Sequence, residues 1–268
     1  PVAGYVIHTE PDFPLYWGDT GANYGLLAAE AAKAIKEAAP DARVVFAGTA
    51  GTVESYLRAG EKAPPGAPHL PLARARAGID EDGMLLAGAK RAAQDLPRDR
   101  RMIDVMEFHF YEGADQWKHF ATFAEYVRRA AKDAGWNPVE IWCTETGTWG
   151  PALGEAGRPI DRPVQTERDQ ACSLVKRYLY GRAVGVSRTW WLGLLLDQPT
   201  EFGQKAFDDM ALVVRGRPRL AYYAFRTMSH LLGGCEWDRT RVVRNGEEGI
   251  YLLEFSRGGR KLWVAWAE

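Results

Sequence analysis

The chain has 268 residues, 46% of them apolar, and a formal net charge of −1. This length and apolar content are enough to bury a large core. Lysine and arginine are spread along the chain, which excludes the basic surface of a nucleic-acid-binding protein. The longest apolar runs are too short to span a bilayer, and three widely spaced cysteines predict neither a disulfide framework nor a zinc knuckle. The sequence does not decide between a secreted and a cytoplasmic location.

Predicted strands and helices alternate along most of the chain. Short apolar runs predict strands at 3–8, 43–48, 102–111, 139–145 and 185–192. Amphipathic patterns predict helices at 22–39, 82–96, 117–131, 166–182 and 218–232. The apolar stripe predicted for the first helix consists of Leu26, Leu27, Ala31, Ala34, Ile35 and Ala38. Loops are predicted around Pro64 to Pro71, Arg158 to Pro163 and Asp197 to Pro199.

The order of these elements predicts the fold class. Alternating strands and helices favour an α/β fold with a parallel sheet and right-handed crossovers, either part of a TIM (β/α) barrel or an open doubly wound sheet. No glycine-rich phosphate loop follows a strand, so we expect no nucleotide and no other cofactor. We predict a partial catalytic barrel over residues 1–235. A β-hairpin appendage from a small β-domain follows over 236–268, with strands at 249–255 and 260–266.

Side chains that can transfer protons or act as nucleophiles lie at three of the predicted strand ends. Glu10 follows the first strand, His109 and Tyr111 close the third, and Glu145 closes the fourth. In a (β/α) barrel these carboxyl ends form the active-site face. Burying a carboxylate such as Glu145 at the end of a strand costs desolvation free energy, which is expected only where the group has a function. That function is catalysis, the capping of a helix or an ion pair with an arginine. Strict alternation would place Ile141, Cys143 and Glu145 on one face.

Four short motifs occur in a recognisable order. They are Thr9-Glu10-Pro11, His109-Phe110-Tyr111, Thr144-Glu145-Thr146-Gly147 and Trp190-Trp191. In this order they resemble the second half of clan A glycoside hydrolases, most of all the family 39 and family 5 type. The resemblance implies that the chain corresponds to strands four to eight of the barrel, with a carbohydrate as substrate.

The resemblance also implies roles for individual residues. Glu10 corresponds to the acid/base of the family and Glu145 to its nucleophile, which together cleave a glycosidic bond with net retention. Tyr111 would orient Glu145, and His109 would line the same site. Trp190 or Trp191 would form the floor of the sugar subsite, and since the two face opposite ways one of them belongs to the core.

Two departures from the family pattern leave alternatives open. Thr9 stands where the family has an asparagine that binds the sugar, so a non-catalytic carbohydrate-binding barrel is the competing interpretation. Five strand–helix units do not close an eight-stranded barrel. We therefore expect either an upstream segment or a second copy of the chain to cover the outer strands, around Val6 and Thr189.

Further predictions concern Glu107, His8, His109 and Trp149. Glu107 is either a third carboxylate of the site or the partner of an arginine inside the barrel. His8 and His109 show no clustered metal-binding pattern, so we expect no metal. Trp149 follows Glu145 closely and is predicted to form a wall of the site, within a carbohydrate-binding set of Thr9, His109, Tyr111, Trp149, Trp190 and Trp191.

Overall fold

A computed structural model describes residues 2–12, 16–48, 81–97, 101–136, 139–150, 165–196, 210–236 and 240–268. The loops predicted around Pro64 to Pro71, Arg158 to Pro163 and Asp197 to Pro199 lie outside the described residues. Within the described ranges, no helix combines the length and the apolar character that crossing a bilayer requires.

The elements follow the predicted order closely. The helices are α1 (Gly21–Ala38), α2 (Glu81–Asp95), α3 (Phe120–Asp133), α4 (Glu167–Ala183) and α5 (Leu220–Leu232), and a 3-10 helix covers Ala114–His119. The strands are β1 (Tyr5–Ile7), β2 (Val44–Phe46), β3 (Val105–Phe110), β4 (Glu140–Thr146), β5 (Val186–Trp191), β6 (Leu195–Leu196), β7 (Val213–Val214), β8 (Arg217–Pro218), β9 (Arg241–Glu247), β10 (Ile250–Arg257) and β11 (Arg260–Ala267).

The main sheet contains five strands in the order β1-β2-β3-β4-β5, so its order in space is the order in the chain. The pairs β1–β2, β2–β3 and β3–β4 are parallel. Parallel neighbours require crossover connections, which α1 supplies between β1 and β2 and α3 between β3 and β4. The predicted α/β fold with a parallel sheet is confirmed.

The chain divides into two compact units, each with its own core. The first consists of Pro1–Tyr111, Thr122–Thr146 and Pro159–Arg162, and the second consists of Glu112–Ala121, Gly147–Arg158 and Pro163–Glu268. Buried residues at the centre of the first include Val45, Val105 and Trp142, and those of the second include Leu174, Leu253 and Phe255. The domain boundary after residue 235 stays a prediction.

The apolar stripe predicted for α1 is wrong. The face that the helix buries consists of Gly21, Tyr24, Gly25, Ala28, Ala29 and Ala32, whereas Leu26 and Leu27 are exposed. A Cβ added to Gly25 would lie 2.3 Å from the carbonyl oxygen of Gly88 in α2. The two helix backbones therefore touch, and only a face of glycine and alanine allows that approach.

Beyond the main sheet, the sequence predicted one antiparallel pair and the structure has more. The hairpin of β10 and β11 is confirmed, with Arg257 opposite Arg260 at its turn. A third strand, β9, pairs with the other side of β10. It was missed because its residues are almost all exposed and show no apolar alternation. The two-residue strands β6, β7 and β8 form a further small sheet, too short to leave a periodic signal.

Candidate active site

The carboxyl ends of β1, β3 and β4 bring together four of the predicted site residues, all within the first unit. His109 is at the centre. Its Nδ1 lies 2.6 Å from Oε1 of Glu10 and 3.4 Å from Oε2 of Glu145. The Tyr111 hydroxyl donates a short hydrogen bond to the same Oε2. One imidazole nitrogen therefore lies between the two carboxylates that the sequence singled out.

The two carboxylates are close to each other. One oxygen of Glu10 and one of Glu145 lie within 4.8 Å of each other and of the His109 nitrogen. The Glu10 side chain is 14% exposed and that of Glu145 is 34% exposed. Solvent therefore reaches each of the two carboxylates in part.

The backbone that carries Glu10 is strained. His8 and Glu10 both have positive φ, 72° and 41°, a region that side-chain-bearing residues seldom occupy. The His8 ring nitrogen Nδ1 is paired with the carbonyl oxygen of Thr9 at 2.8 Å. Strain of this kind persists only where the surroundings fix the backbone, and it is typical of functional sites.

Tyr24 of α1 supplies part of that support. Its buried hydroxyl donates to the carbonyl oxygen of Ile7 at 3.0 Å and accepts from the backbone nitrogen of Ala47 at 2.9 Å. It thus ties the ends of β1 and β2 together directly before the strained turn. Sequence reasoning missed this residue, although one polar aromatic within a glycine and alanine face was a usable signal.

The Tyr111 hydroxyl is held as a hydrogen-bond donor. Burial raises the pKa of Tyr111 well above its ordinary value, and the negative charge of Glu145 raises it further. The hydroxyl therefore keeps its proton over the whole range in which enzymes work. The contact that the resemblance implied between Tyr111 and Glu145 is present.

His109 is in a strongly acidic environment. The residue is 2% exposed, and burial alone would lower the pKa of its imidazole. The hydrogen bond to Glu10 and the charges of Glu145, Glu107 and Glu10 outweigh burial, so the pKa of His109 is raised above 6.5. A protonated imidazole here compensates part of the surrounding negative charge.

A β-bulge interrupts the alternation predicted for β4. Phe108 of β3 pairs with Cys143, but the next residue, His109, pairs with Glu145. Thr144 is therefore an extra residue without a partner in the ladder, and the expected simple alternation up to Glu145 is wrong. Bulges redirect side chains and are frequent beside active sites. Here the bulge directly precedes the predicted nucleophile.

Glu107 lies on β3, two residues before His109, and pairs with no lysine or arginine among the described residues. It is 1% exposed, and its Oε1 accepts a hydrogen bond from the backbone nitrogen of Gly48 at 2.9 Å. Burial raises the pKa of Glu107 above 4.5, and Glu145 adds to the rise, although His109, Thr144 and Gly48 act in the opposite direction. The interpretation as the partner of an arginine is therefore not supported in the described part of the chain.

The remaining predicted contacts are distributed over both units. Thr9 is exposed and lies in the first unit. The three tryptophans belong to the second unit, where Trp149 is buried and Trp190 is 38% exposed. Trp191 packs against the core of that unit, and its Nε1 donates to the carbonyl oxygen of Met210 at 2.8 Å. Their contacts with a sugar stay predictions.

Glu10, His109 and Glu145 are also the one described group of three with ligand atoms close enough to share a cation. Two ligands of a tetrahedral zinc ion, each about 2.0 to 2.1 Å from the metal, lie about 3.3 Å apart. The Glu10 and His109 atoms are 2.6 Å apart, which is a hydrogen-bond distance. Hydrogen bonding accounts for the arrangement, and the expectation of a metal-free site stays a prediction.

Comparison with known proteins gives matches at the level of structure. No protein-family model matches the chain, and no curated protein matches it. A glucosidase from Croceicoccus marinus is similar over 95% of this chain and 48% of its own, with a TM-score of 0.57 and 17% identity. A GH51 arabinofuranosidase from Xanthomonas axonopodis pv. citri is similar over 100% of this chain and 52% of its own, with a TM-score of 0.58 and 10% identity. An α-L-arabinofuranosidase from Thermotoga maritima is similar over 97% and 45%, with a TM-score of 0.52 and 15% identity.

These likenesses show the fold. The similar structures are clan A glycoside hydrolases, and the sheet described above resembles part of their TIM barrel. The chain spans about half the length of each of them. Because one barrel fold supports many unrelated reactions, the function has to be argued from the site itself.

Proposed function

We propose that this chain cleaves a glycosidic bond with net retention, as a clan A glycoside hydrolase of the family 39 and family 5 type. The observation that carries the proposal is the separation of Glu10 and Glu145, whose oxygens approach within 4.8 Å. Retaining enzymes hold their two carboxyl groups about 5 to 5.5 Å apart, whereas inverting enzymes need about 6.5 to 9.5 Å to admit a water molecule. The short separation supports a double displacement.

In the proposed reaction Glu145 attacks the anomeric carbon while Glu10 gives its proton to the leaving oxygen. The glycosidic bond breaks and an ester forms between the sugar and Glu145. Glu10, now a carboxylate, then takes a proton from a water molecule, and the resulting hydroxide cleaves the ester. The second step restores both side chains and releases a sugar of unchanged anomeric configuration.

Two neighbours support these roles. Tyr111 donates to Oε2 of Glu145, which holds the carboxylate and leaves its other oxygen to attack the sugar. His109 is paired with Oε1 of Glu10 at 2.6 Å, so the imidazole holds the acid side chain in place. Thr9, Trp149, Trp190 and Trp191 complete the proposal as sugar-binding residues.

An activity screen tests this proposal. The chain is assayed with a panel of activated aryl glycosides beside the Glu145→Gln variant, and the anomer first formed is identified by NMR. We expect turnover by the parent, none above background by the variant, and a first product that retains the configuration of the substrate. A first product of inverted configuration contradicts the double displacement.

A non-catalytic carbohydrate-binding barrel is the second candidate, and Thr9 is the observation that favours it. The asparagine that precedes the acid in the family offers an amide donor to the sugar, whereas a threonine offers only a shorter hydroxyl. This candidate predicts sugar binding by calorimetry without turnover of any aryl glycoside. Replacement of Thr9 by asparagine would then create or increase hydrolysis.

We also propose that a second copy of the chain pairs along the outer side of β1. Among the described strands β1 pairs with β2 alone, and its residues Tyr5 and Val6 are exposed. An exposed apolar edge strand is a template for pairing with another chain. Size-exclusion chromatography with light scattering is expected to show a dimer that Val6→Lys converts to monomer. A strictly monomeric parent contradicts this part of the proposal.

A further inference from the structure

The proposed reaction gives no task to Glu107, although this residue is the most deeply buried carboxyl group near the site. Its Oε1 accepts from the Gly48 nitrogen, and its Oε2 has no hydrogen-bond partner in the described part of the chain. Leaving a buried polar atom without a partner is costly, and an uncharged side chain of the same size would avoid that cost. The position therefore calls for an explanation other than stability.

Residues at the ends of two neighbouring strands, β2 and β4, lie beside Glu107 of β3. Gly48 follows β2 and lies against the backbone of β3, since a Cβ added there would be 2.7 Å from the Cα of Phe108. This close approach lets the Gly48 nitrogen reach the Glu107 carboxyl. On the β4 side, Thr144 is the bulge residue directly before Glu145.

The hydroxyl of Thr144 is the second atom here without a partner. Its Oγ1 is buried and makes no hydrogen bond of good geometry, as is true of Oε2 of Glu107. The hydroxyl is nevertheless close enough to act on the Glu107 carboxyl and lower its pKa. Neither atom has another partner in the described part of the chain, so a hydrogen bond between them would satisfy both.

We propose that Glu107 is a positioning residue of the reaction, a buried carboxylic acid that holds the Thr144 bulge and thereby aims Glu145 at the sugar. This inference rests on the proposed glycosidase function. As an acid, Glu107 accepts from Gly48 through one oxygen, and in the proposed arrangement it would donate to Thr144 through the other. Burial raises the pKa of Glu107, which agrees with a carboxyl group that keeps its proton.

Four single variants and one double variant test the inference with an activated aryl glycoside. Glu107→Leu and Thr144→Val remove the hydrogen bond and keep the volume, and we expect each to lower kcat about 10- to 100-fold with KM within about twofold. Glu107→Gln and Thr144→Ser retain a donor and an acceptor, so their kcat is expected within about threefold of the parent. The double variant of Glu107→Leu and Thr144→Val should be no slower than the slower single variant, since both remove one contact.

The outcomes separate the two proposals. A parent without turnover on any glycoside overturns the glycosidase function and this inference with it. An active parent whose Glu107→Leu and Thr144→Val variants keep the parental kcat overturns this inference alone. Thermal unfolding shows whether Glu107→Leu folds, and if it does not, the comparison of Thr144→Val with Thr144→Ser decides. A slow Glu107→Gln variant with a shifted pH–rate profile also overturns the inference, because the charge and not the hydrogen bonds would then matter.

Discussion

Arg177 of the second unit and Glu107 of the first are both buried ionisable side chains, but they differ in how completely their polar atoms are hydrogen-bonded. Arg177 is 0% exposed, and its Nε donates to Ser173 at 3.0 Å. Its terminal nitrogens donate to the carbonyl oxygens of Gly147, Glu112 and Gly113 at 2.9, 2.5 and 3.1 Å. All three nitrogens of the guanidinium are therefore used.

Glu107 has one partner where Arg177 has several. One carboxyl oxygen is satisfied and the other is not, although the group is equally buried. Satisfied buried polar groups rigidify a structure, whereas unsatisfied ones reduce its stability. The contrast indicates that the Arg177 network supports the fold, and it agrees with the proposal that Glu107 serves the reaction at the strand ends.

The largest effect expected at the strand ends is that of Glu145→Gln. This change keeps the shape and removes the charge of the proposed nucleophile, so kcat should fall about 10⁴-fold or more. Because the side chain is in part open to solvent, the melting temperature should hardly change. Steady-state kinetics and calorimetry measure the two quantities. The exposed Glu125→Gln in α3 is the matched control, and an unaltered kcat in the Glu145 variant would exclude the proposed nucleophile.

Arg177→Met should show the converse, a loss of stability without a specific loss of chemistry. The change leaves three backbone carbonyl oxygens without their donor, which costs about 3 kcal/mol or more in the free energy of unfolding. Urea unfolding measures this loss, and kcat at a temperature where the variant is folded should stay within a few-fold of the parent. Arg168→Met on the exposed side of α4 is the control. Equal stability of both variants would contradict the structural role of Arg177.

Tyr111→Phe lies between these extremes. It deletes one hydroxyl that donates to Glu145, and the removal of one such donor lowers kcat about 100-fold. The exposed Tyr223→Phe provides the control. A kcat of the Tyr111 variant equal to that of the parent would mean that the hydroxyl does not act on Glu145 during the reaction.

The sequence was sufficient for the fold class and for the four residues that meet at the strand ends. Strand periodicity located β1, β3 and β4, and the carboxyl ends of parallel strands share one edge of a sheet. The sequence alone therefore predicted that Glu10, His109, Tyr111 and Glu145 lie close together. Their roles in catalysis stay predictions.

The features that were missed depend on contacts between elements. The glycine and alanine face of α1 was missed because the prediction searched for a helical repeat of large apolar residues. Two helices that pack closely need small residues at their contact instead. The bulge at Thr144 adds a residue to one strand without changing its composition. Arg177 lies in a helix whose buried face also contains the polar residues Gln170 and Ser173, and the carbonyl oxygens that bind it come from segments distant in sequence.

The smallest expected effect concerns how stability depends on pH, and it compares Glu107 and Arg177 directly. The pKa values of Glu107 and His109 are raised in the folded chain, so the folded state binds protons more tightly than the unfolded state. Their contributions to the free energy of unfolding are complete below the ordinary pKa values, 4.5 for Glu107 and 6.5 for His109. They are lost as the pH rises through the raised values of the folded chain.

Glu107→Gln should therefore flatten the fall in stability that begins near pH 4.5, while the fall that belongs to His109, which begins near pH 6.5, should remain. An arginine stays charged throughout this range, so Arg177→Met should lower the whole curve by a constant amount and leave its slope unchanged. Urea unfolding of the parent and both variants from pH 4 to 9 gives the three curves. If the curve of Glu107→Gln runs parallel to that of the parent, Glu107 does not change its protonation on folding, and its contrast with Arg177 is one of hydrogen bonding alone.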